Sequence, residues 1–352
     1  MTDKSKKKHW FAFDGGLEAW LDEKSQPRFR HGQVQKWIFE NRAESFEAMT
    51  NLPLPLRNDL SDTFRFWTTE IVRHLKSEDG TEKLLLKLED ENLIECVLLR
   101  DGSRRTICVS SQVGCAMGCV FCASGLDGVK RNLLASEILE QMLRLQRLLP
   151  EDERLSHIVM MGMGEPLANI SNVLKALDLA TSEDGLGISP RRVTISTVGL
   201  PNSIDKLAEH GRPYNLAVSL HAPNDRLRDQ LVPVNDKIGI AAILEAADKY
   251  FEVSGRRLTF EYVLLGEVND SDESAQELAD CLRDKNALVN VIPYNPVDGL
   301  PWKEPTAEQI ERFGRILRME GINVQFRIQK GEKINAACGQ LRRNQSLVNL
   351  ER

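Results

Sequence analysis

The sequence holds no apolar run approaching the roughly 18–20 residues that a membrane-spanning helix requires. That excludes the single-span and multi-span helical classes. An export signal is missing too: the opening stretch "MTDKSKKKHW" is basic, but no apolar segment follows it. An even cysteine set is likewise absent. The seven cysteines lie at 96, 108, 115, 119, 122, 281 and 338, and an odd count without an export signal argues against a disulfide framework and for a reducing cytoplasm. Excess positive charge is also lacking, since the formal net charge is −6. Composition therefore permits a nucleic-acid partner through local cation clusters without arguing for one. Internal repeats and low-complexity tracts are not found.

What is present is enough for one large domain with smaller attachments: 352 residues, 41% hydrophobic and 28% charged. From about 105 to 330, β-rich runs alternate with amphipathic stretches. The strands are expected at "TICVS", "HIVMMG", "RVTISTVG", "NLAVSLH", "LTFEYVLLG", "LVNVIPYN" and "NVQFRIQ". Between them, "ASEILEQMLRLQRLL" puts Ile138, Met142, Leu145 and Leu149 on one helical face. "PTAEQIERFGRILRMEG" carries a start signal at Thr306 with Gln309 and a stop at Gly321. Such alternation predicts an α/β fold with a parallel sheet, closed fully or partly into a barrel whose functional residues gather at the C-terminal strand ends. Residues 1–14 read as a basic, solvated tail. Residues 15–65 read as a helical domain, and 66–104 as β-hairpins turning at Asp79-Gly80 and Asp101-Gly102. Residues 331–352 form a C-terminal segment.

The most informative stretch is "SQVGCAMGCVFCASG", with Cys115, Cys119 and Cys122 inside eight positions and no fourth cysteine at similar spacing. Structural zinc takes four ligands, commonly from paired knuckles, so a distant residue would have to complete such a site. Three thiolates instead suit an iron–sulfur cluster that keeps one iron open. "MMGMGEP" follows a strand, and Gly162 and Gly164 would allow close approach of a ligand, with Glu165 as an acceptor. On residue type alone, Cys108 reads equally as a buried strand cysteine and Cys338 as a small core residue.

The chain resembles the RlmN/Cfr family of radical S-adenosylmethionine RNA methyltransferases. The resemblance rests on "FRHGQVQKWIFENRAESFEAMTNLPLPLR", "CVSSQVGCAMGCVFCASG", "MGMGEPLAN", "SPRRVTISTVG", "VSLHAPND", "IPYNP" and "AACGQL" in that order. It implies a partial (β/α)6 barrel with a helical, RNA-engaging accessory domain, in a cytoplasmic monomer. It also implies a 4Fe-4S cluster on Cys115, Cys119 and Cys122, with S-adenosylmethionine at the open iron. Gly164, Glu165, Ser196, Ser219, Leu220, His221 and Asn295 would contact that cofactor. Carbon 2 of adenine is electron-poor, so the resemblance implies an indirect route: Cys338 is methylated first, a radical made from the cofactor activates the S-methyl group, and a covalent protein–RNA adduct follows. Cys108 would then resolve the adduct through a disulfide with Cys338, and Glu95 would take the proton from carbon 2.

The implied product is 2-methyladenosine in 23S ribosomal RNA and, as in many members, in tRNA beside the anticodon. An electron donor and a thiol reductant would be needed. Arg28, Arg30, Lys36 and Arg42 would meet phosphates. The alternatives are Cfr-like methylation at carbon 8, against which Val113 and Pro166 count, and a metal-stabilised RNA-binding protein without catalysis. Cys96 and Cys281 match no functional position, and Lys333 and Asn335 depart from the acidic pattern usual before the two alanines.

Overall fold

A computed structural model describes residues 7–12, 16–327 and 330–341. At the N-terminal end, strand β1 (Lys8–His9) precedes helices α1 (Gly16–Glu23), α2 (Phe29–Phe39) and α3 (Leu54–Thr63), and β2 (Phe64–Arg65) runs parallel to β1. Part of the expected solvated tail is thus packed. Trp10 is buried against Phe39, and His9 is buried as well, because an indole of that size gains more by leaving water than the neighbouring lysines lose.

Strands β3 (Glu70–Lys76), β4 (Glu82–Lys87), β5 (Leu93–Asp101) and β6 (Arg104–Cys108) form an antiparallel meander. Its turns contain the two Asp-Gly pairs, with Gly80 and Gly102 both at positive φ. These hairpins do not stand apart from the core; they extend its sheet. After a small hairpin of β7 (Gln112–Gly114) and β8 (Val129–Asn132), the chain enters strand–helix repeats. Helix α4 (Ala135–Gln146) leads to β9 (His157–Met160), α5 (Ile170–Thr181) to β10 (Val193–Thr197), and α6 (Pro201–Glu209) to β11 (Asn215–Ser219). Helices α7 (Asp225–Leu231) and α8 (Ile240–Ser254) lead to β12 (Leu258–Leu264), α9 (Asp272–Leu282) to β13 (Ala287–Pro293), and α10 (Ala307–Met319) to β14 (Val324–Phe326). The sheet order is β14-β13-β12-β11-β10-β9-β6-β5-β4-β3, parallel from β6 through β14. The helical crossovers make an open α/β barrel.

Local sequence explains the placement. Val193, Ile195 and Thr197 alternate inward along β10, and Leu258 and Phe260 do so along β12. Helix α10 starts with the Thr306/Gln309 capping box, with Gln309 N–H donating to Thr306 Oγ1 at 3.2 Å, and the chain turns at Gly321, φ +80°. The buried Glu140 of α4 fastens the N-terminal region to the barrel. Its carboxylate accepts from the N–H groups of Thr68 (2.7 Å) and Thr69 (2.9 Å) and from both hydroxyls. No helix among the described residues is long and apolar enough to cross a membrane.

Candidate active site

The parallel strands all deliver their C-terminal ends to one rim, where a cavity of about 150 Å³ opens. The loop after β7 brings Cys115, Cys119 and Cys122 to its wall, together with Phe121. Met161, Gly162, Gly164 and Glu165 come after β9, His221 after β11, Tyr294 and Asn295 after β13, and Arg327 after β14; Ser196 and Ser219 lie at the ends of β10 and β11. Cys338 and Gly339 close it from the C-terminal segment. Residues far apart in sequence meet because the ends of the parallel strands, and the loops that leave them, converge on this rim.

Burial pushes the cluster-loop thiols upward, Cys115 to about 12, and each is raised further by another thiol of this site. They would ionise only against added positive charge, which an iron–sulfur cluster supplies. Among the described residues no three His, Cys, Asp or Glu side chains converge on a point that could hold one metal ion. Three thiols on one loop with no fourth beside them suit an iron–sulfur cluster that keeps one iron open better than a structural zinc, which takes four ligands.

The remaining wall fits a cofactor carrying ammonium, carboxylate and hydroxyl groups. Glu165 is buried and pushed up to about 7 by desolvation, while its Oε1 and Oε2 accept from the N–H groups of Leu167 (3.0 Å) and Val198 (2.9 Å). Lone pairs remain for an ammonium donor. Asn295 Nδ2 donates to the Cys338 carbonyl at 3.1 Å, and its Oδ1 is buried without a partner. That orphan acceptor on the cavity wall calls for a donor from a bound molecule. Ser196 and Ser219 face each other with hydroxyl oxygens 3.4 Å apart.

His221 is strained at φ +60° and is lowered by burial, then by Arg228, to about 3, so it is neutral. Its Nδ1 accepts from Val263 N–H at 3.1 Å, which fixes the proton on Nε2. Leu220 does not reach the cavity by its side chain. It is buried in the main core, its N–H donates to Glu261 O and its carbonyl accepts from Arg228. The two glycines also differ from expectation. A Cβ on Gly162 would meet Ser110 N at 2.7 Å and one on Gly164 would meet Gln112 Cβ at 2.6 Å. Their smallness admits the neighbouring backbone of residues 109–112, beyond any ligand contact.

Sequence reasoning passed over Arg228. It is 0% exposed and donates to the carbonyls of Leu220 (3.0 Å), Val198 (2.6 Å) and Ser219 (3.0 Å) and to Asn235 Oδ1. One guanidinium thus ties the exits of β10 and β11 together, and burial lowers it to about 10 despite the thiol of Cys119. Its signal was its place beside Leu231, three residues on, along the buried face of α7.

A second cavity, of about 80 Å³, adjoins the first and is lined by Cys108, Ala336, Ala337, Lys330 and Leu341. Cys338, Asn295, Met161, Ile292 and Arg327 border both cavities. The Cys338 loop is held from several sides. Ala123 N–H donates to Gly339 O (2.8 Å), Ser124 Oγ to Leu341 O (2.7 Å), Gln340 Nε2 to Pro296 O (3.0 Å) and Lys83 Nζ to Asn335 O (2.9 Å). The departures from the acidic pattern are accommodated locally: Lys333 pairs with Glu78 at 2.6 Å, and Asn335 takes a left-handed φ of +49°. The disulfide expected from the resemblance is not formed. All seven cysteines are free, and burial raises Cys108 to about 12, which keeps it a thiol.

Glu95 borders neither cavity. It is buried on β5 with its Oε1 2.8 Å from Lys83 Nζ, on the same sheet face as Cys108 and one pair farther along. The expected phosphate ligand Arg42 is spent inside the fold, donating to Leu149 O (2.6 Å), Pro150 O (3.0 Å) and Glu153 O. Three carbonyls at a loop attract the guanidinium more firmly than solvent does. Arg30 donates to Gln33, Lys36 pairs with Glu40, and Arg28 is exposed on the same helical region.

Comparison with known proteins agrees with this geometry. The Radical SAM superfamily model matches residues 109–279, and the ribosomal RNA large subunit methyltransferase N-terminal domain matches 14–65. A curated relative from Rhodopirellula baltica, named "Probable dual-specificity RNA methyltransferase RlmN", is 65% identical over 94% of this chain and 90% of its own. One from Opitutus terrae, named "Probable dual-specificity RNA methyltransferase RlmN 3", is 46% identical over 93% of this chain and 91% of its own. The crystal structure of a radical SAM methyltransferase from Sphaerobacter thermophilus superposes with a TM-score of 0.92 at 43% identity, covering 96% of this chain and all of that one. An open α/β barrel, a three-thiol loop at its rim and near full-length identity together place the chain in the RlmN family of radical S-adenosylmethionine RNA methyltransferases.

Proposed function

We propose that this chain places a methyl group on carbon 2 of adenosine in 23S ribosomal RNA and in tRNA, carrying the carbon on Cys338. One observation carries the reading: Cys338 stands on the wall shared by the cluster-loop cavity and the Cys108 cavity. A sulfur that must meet an activated cofactor on one side and a resolving thiol on the other belongs at that border.

Cys115, Cys119 and Cys122 would hold the 4Fe-4S cluster, and Gly164, Glu165, Ser196, Ser219, His221 and Asn295 would hold S-adenosylmethionine. When bound, these cofactors supply a methyl group and a carbon-centred radical. The chain does the rest. Glu165 receives the ammonium of the cofactor, while neutral His221 presents Nε2–H as a donor. Asn295 keeps the Cys338 backbone in place through its carbonyl. Phe121, Tyr294 and Val198 keep the cavity apolar, which shields a reactive carbon from water. Glu95, outside both cavities but one pair from Cys108 on the same sheet face, is the carboxylate assigned to the proton released at carbon 2, and Cys108 forms a disulfide with Cys338 to free the product. A low-potential electron donor and an external thiol complete the cycle, and the enzyme works as a cytoplasmic monomer. Arg28, Arg30 and Lys36 offer cations to RNA phosphates.

The test is to incubate the anaerobically reconstituted protein with unmethylated 23S RNA and tRNA, then digest and analyse the nucleosides by mass spectrometry. 2-Methyladenosine is expected. 8-Methyladenosine as the sole product would overturn the proposal.

A further inference from the structure

Among the described residues the border between the two cavities contains one permanent cation. Arg327 lines both, as does Cys338, whereas Cys108 lines only the second and the cluster-loop thiols only the first. The backbone N–H of Arg327 donates to Val291 O at 2.9 Å, which fixes the residue one position past β14. Among the described residues its guanidinium makes a single weak contact, from Nη1 to Met161 Sδ at 3.9 Å. Among the described residues no carboxylate lies within ion-pair distance of it; the acid that influences it, Glu261, is engaged by Asn290 Nδ2 at 2.7 Å. A fork with donors to spare therefore faces the space where two sulfurs must exchange partners.

We propose that Arg327 is a positioning residue for the resolving step, its guanidinium favouring the Cys108 thiolate once Cys338 carries carbon. This rests on the roles given to Cys338 and Cys108 above. The electrostatics support the placement. The charge of Cys338 is the foremost influence raising Arg327, with Glu261 and Cys108 adding to it against burial. On Cys108, burial and then the charge of Cys338 push upward, while Arg327 and a backbone hydrogen bond from Met161 pull downward.

A thioether is neutral. When Cys338 becomes one, its opposition to Cys108 ionisation disappears while the guanidinium remains. Cys108 then ionises more readily, and its thiolate attacks the Cys338 sulfur. The S–S bond forms and the bond from sulfur to the methylene carbon breaks, with its electron pair passing to that carbon. The carbon takes a proton and leaves as the methyl group of the base. Overall, the proton lost by Cys108 balances the one gained by carbon. The two thiols are oxidised by two electrons, the carbon is reduced by two, and an external dithiol later restores the thiols. Other groups around Cys108 do not duplicate Arg327. Lys330 is engaged by Asp101 (3.0 Å) and the Arg100 carbonyl (2.9 Å), and Cys96 on β5 is a buried thiol.

The experiment follows iodoacetamide alkylation of Cys108 by peptide mass spectrometry, using the full chain without RNA, from about pH 7 to about pH 10, where the rate is proportional to the thiolate fraction. In Cys338→Ala alkylation of Cys108 should be roughly tenfold faster at each pH, the effect of a shift of about one pH unit. Arg327→Gln should slow it, and Arg327→Lys should restore it. Simple loosening of the cavity would speed alkylation in Arg327→Gln, the opposite direction. Alkylation not slowed by Arg327→Gln overturns the proposal; should that variant not fold, alkylation not speeded by Cys338→Ala overturns it equally. With RNA present, Arg327→Gln should accumulate the covalent protein–RNA adduct near pH 7 and release it near pH 9. If Cys108→Ala yields no adduct, the roles proposed for the two cysteines fail, while the alkylation rates still report on Arg327.

Discussion

Replacing Arg228 by methionine keeps most of the side-chain volume but removes every donor. The carbonyls of Leu220, Val198 and Ser219 and the amide oxygen of Asn235 would be left without their partner in a site that excludes solvent. Removing the guanidinium also removes its own desolvation cost, which shows in the lowering of Arg228 to about 10. Orphaned acceptors cost about 1 kcal/mol or more each after that offset, so the expected loss is about 3–5 kcal/mol. In urea this should lower the unfolding midpoint by about 1 M or more. The same change unties the exits of β10 and β11, so S-adenosylmethionine binding by the refolded, anaerobic protein should weaken together with stability. Arg228→Lys retains the charge but cannot reproduce the fork, and should fall between the two. A methionine variant with the parent's urea midpoint and cofactor affinity would refute this reasoning.

Other consequences are independent of Arg228. Burial lowers His9 to about 4, partly countered by Glu140, so the unfolded chain binds the extra proton between about pH 6.5 and pH 4; stability should therefore fall by about 2–3 kcal/mol as pH drops through that window, and His9→Gln should flatten the urea-midpoint profile. Gly164→Ala forces a Cβ to 2.6 Å from Gln112 Cβ at φ +100°, and should abolish cofactor binding while costing about 2–3 kcal/mol by urea unfolding. Arg42→Ala should speed limited proteolysis of the helical region and leave the salt dependence of tRNA binding unchanged, whereas Arg30→Ala should make that dependence shallower by about one ion.

Much of the fold could be read from pattern. Each expected strand from "TICVS" to "NVQFRIQ" contributes to the sheet, because β-branched runs with helical stretches between them leave few other arrangements. The Thr306 start and Gly321 stop were visible because capping is local chemistry. The convergence on one cavity was legible where motif residues sit at strand ends or in the loops that follow them, as with Ser219 and Glu165.

Long-range partners were not legible. Arg42 looked like a free surface cation, and only its carbonyl partners more than a hundred residues away reveal otherwise. Glu95 gave no sign of Lys83, and Gly162 gave no sign of Ser110, since both contacts depend on sheet register and loop approach. Arg228 hid in a short, charge-rich helix, where a buried guanidinium and a solvated one share the same letters. Arg327 carried one usable hint, its place immediately after the last strand.

The most direct test follows the carbon itself. The protein, loaded with its cluster and given S-adenosylmethionine labelled in the methyl group, is sampled before and after RNA is added, and the peptide containing Cys338 is analysed by mass spectrometry. The account predicts label on Cys338 first, then in adenosine as the peptide loses it. Label entering RNA while Cys338 never carries it would contradict the account.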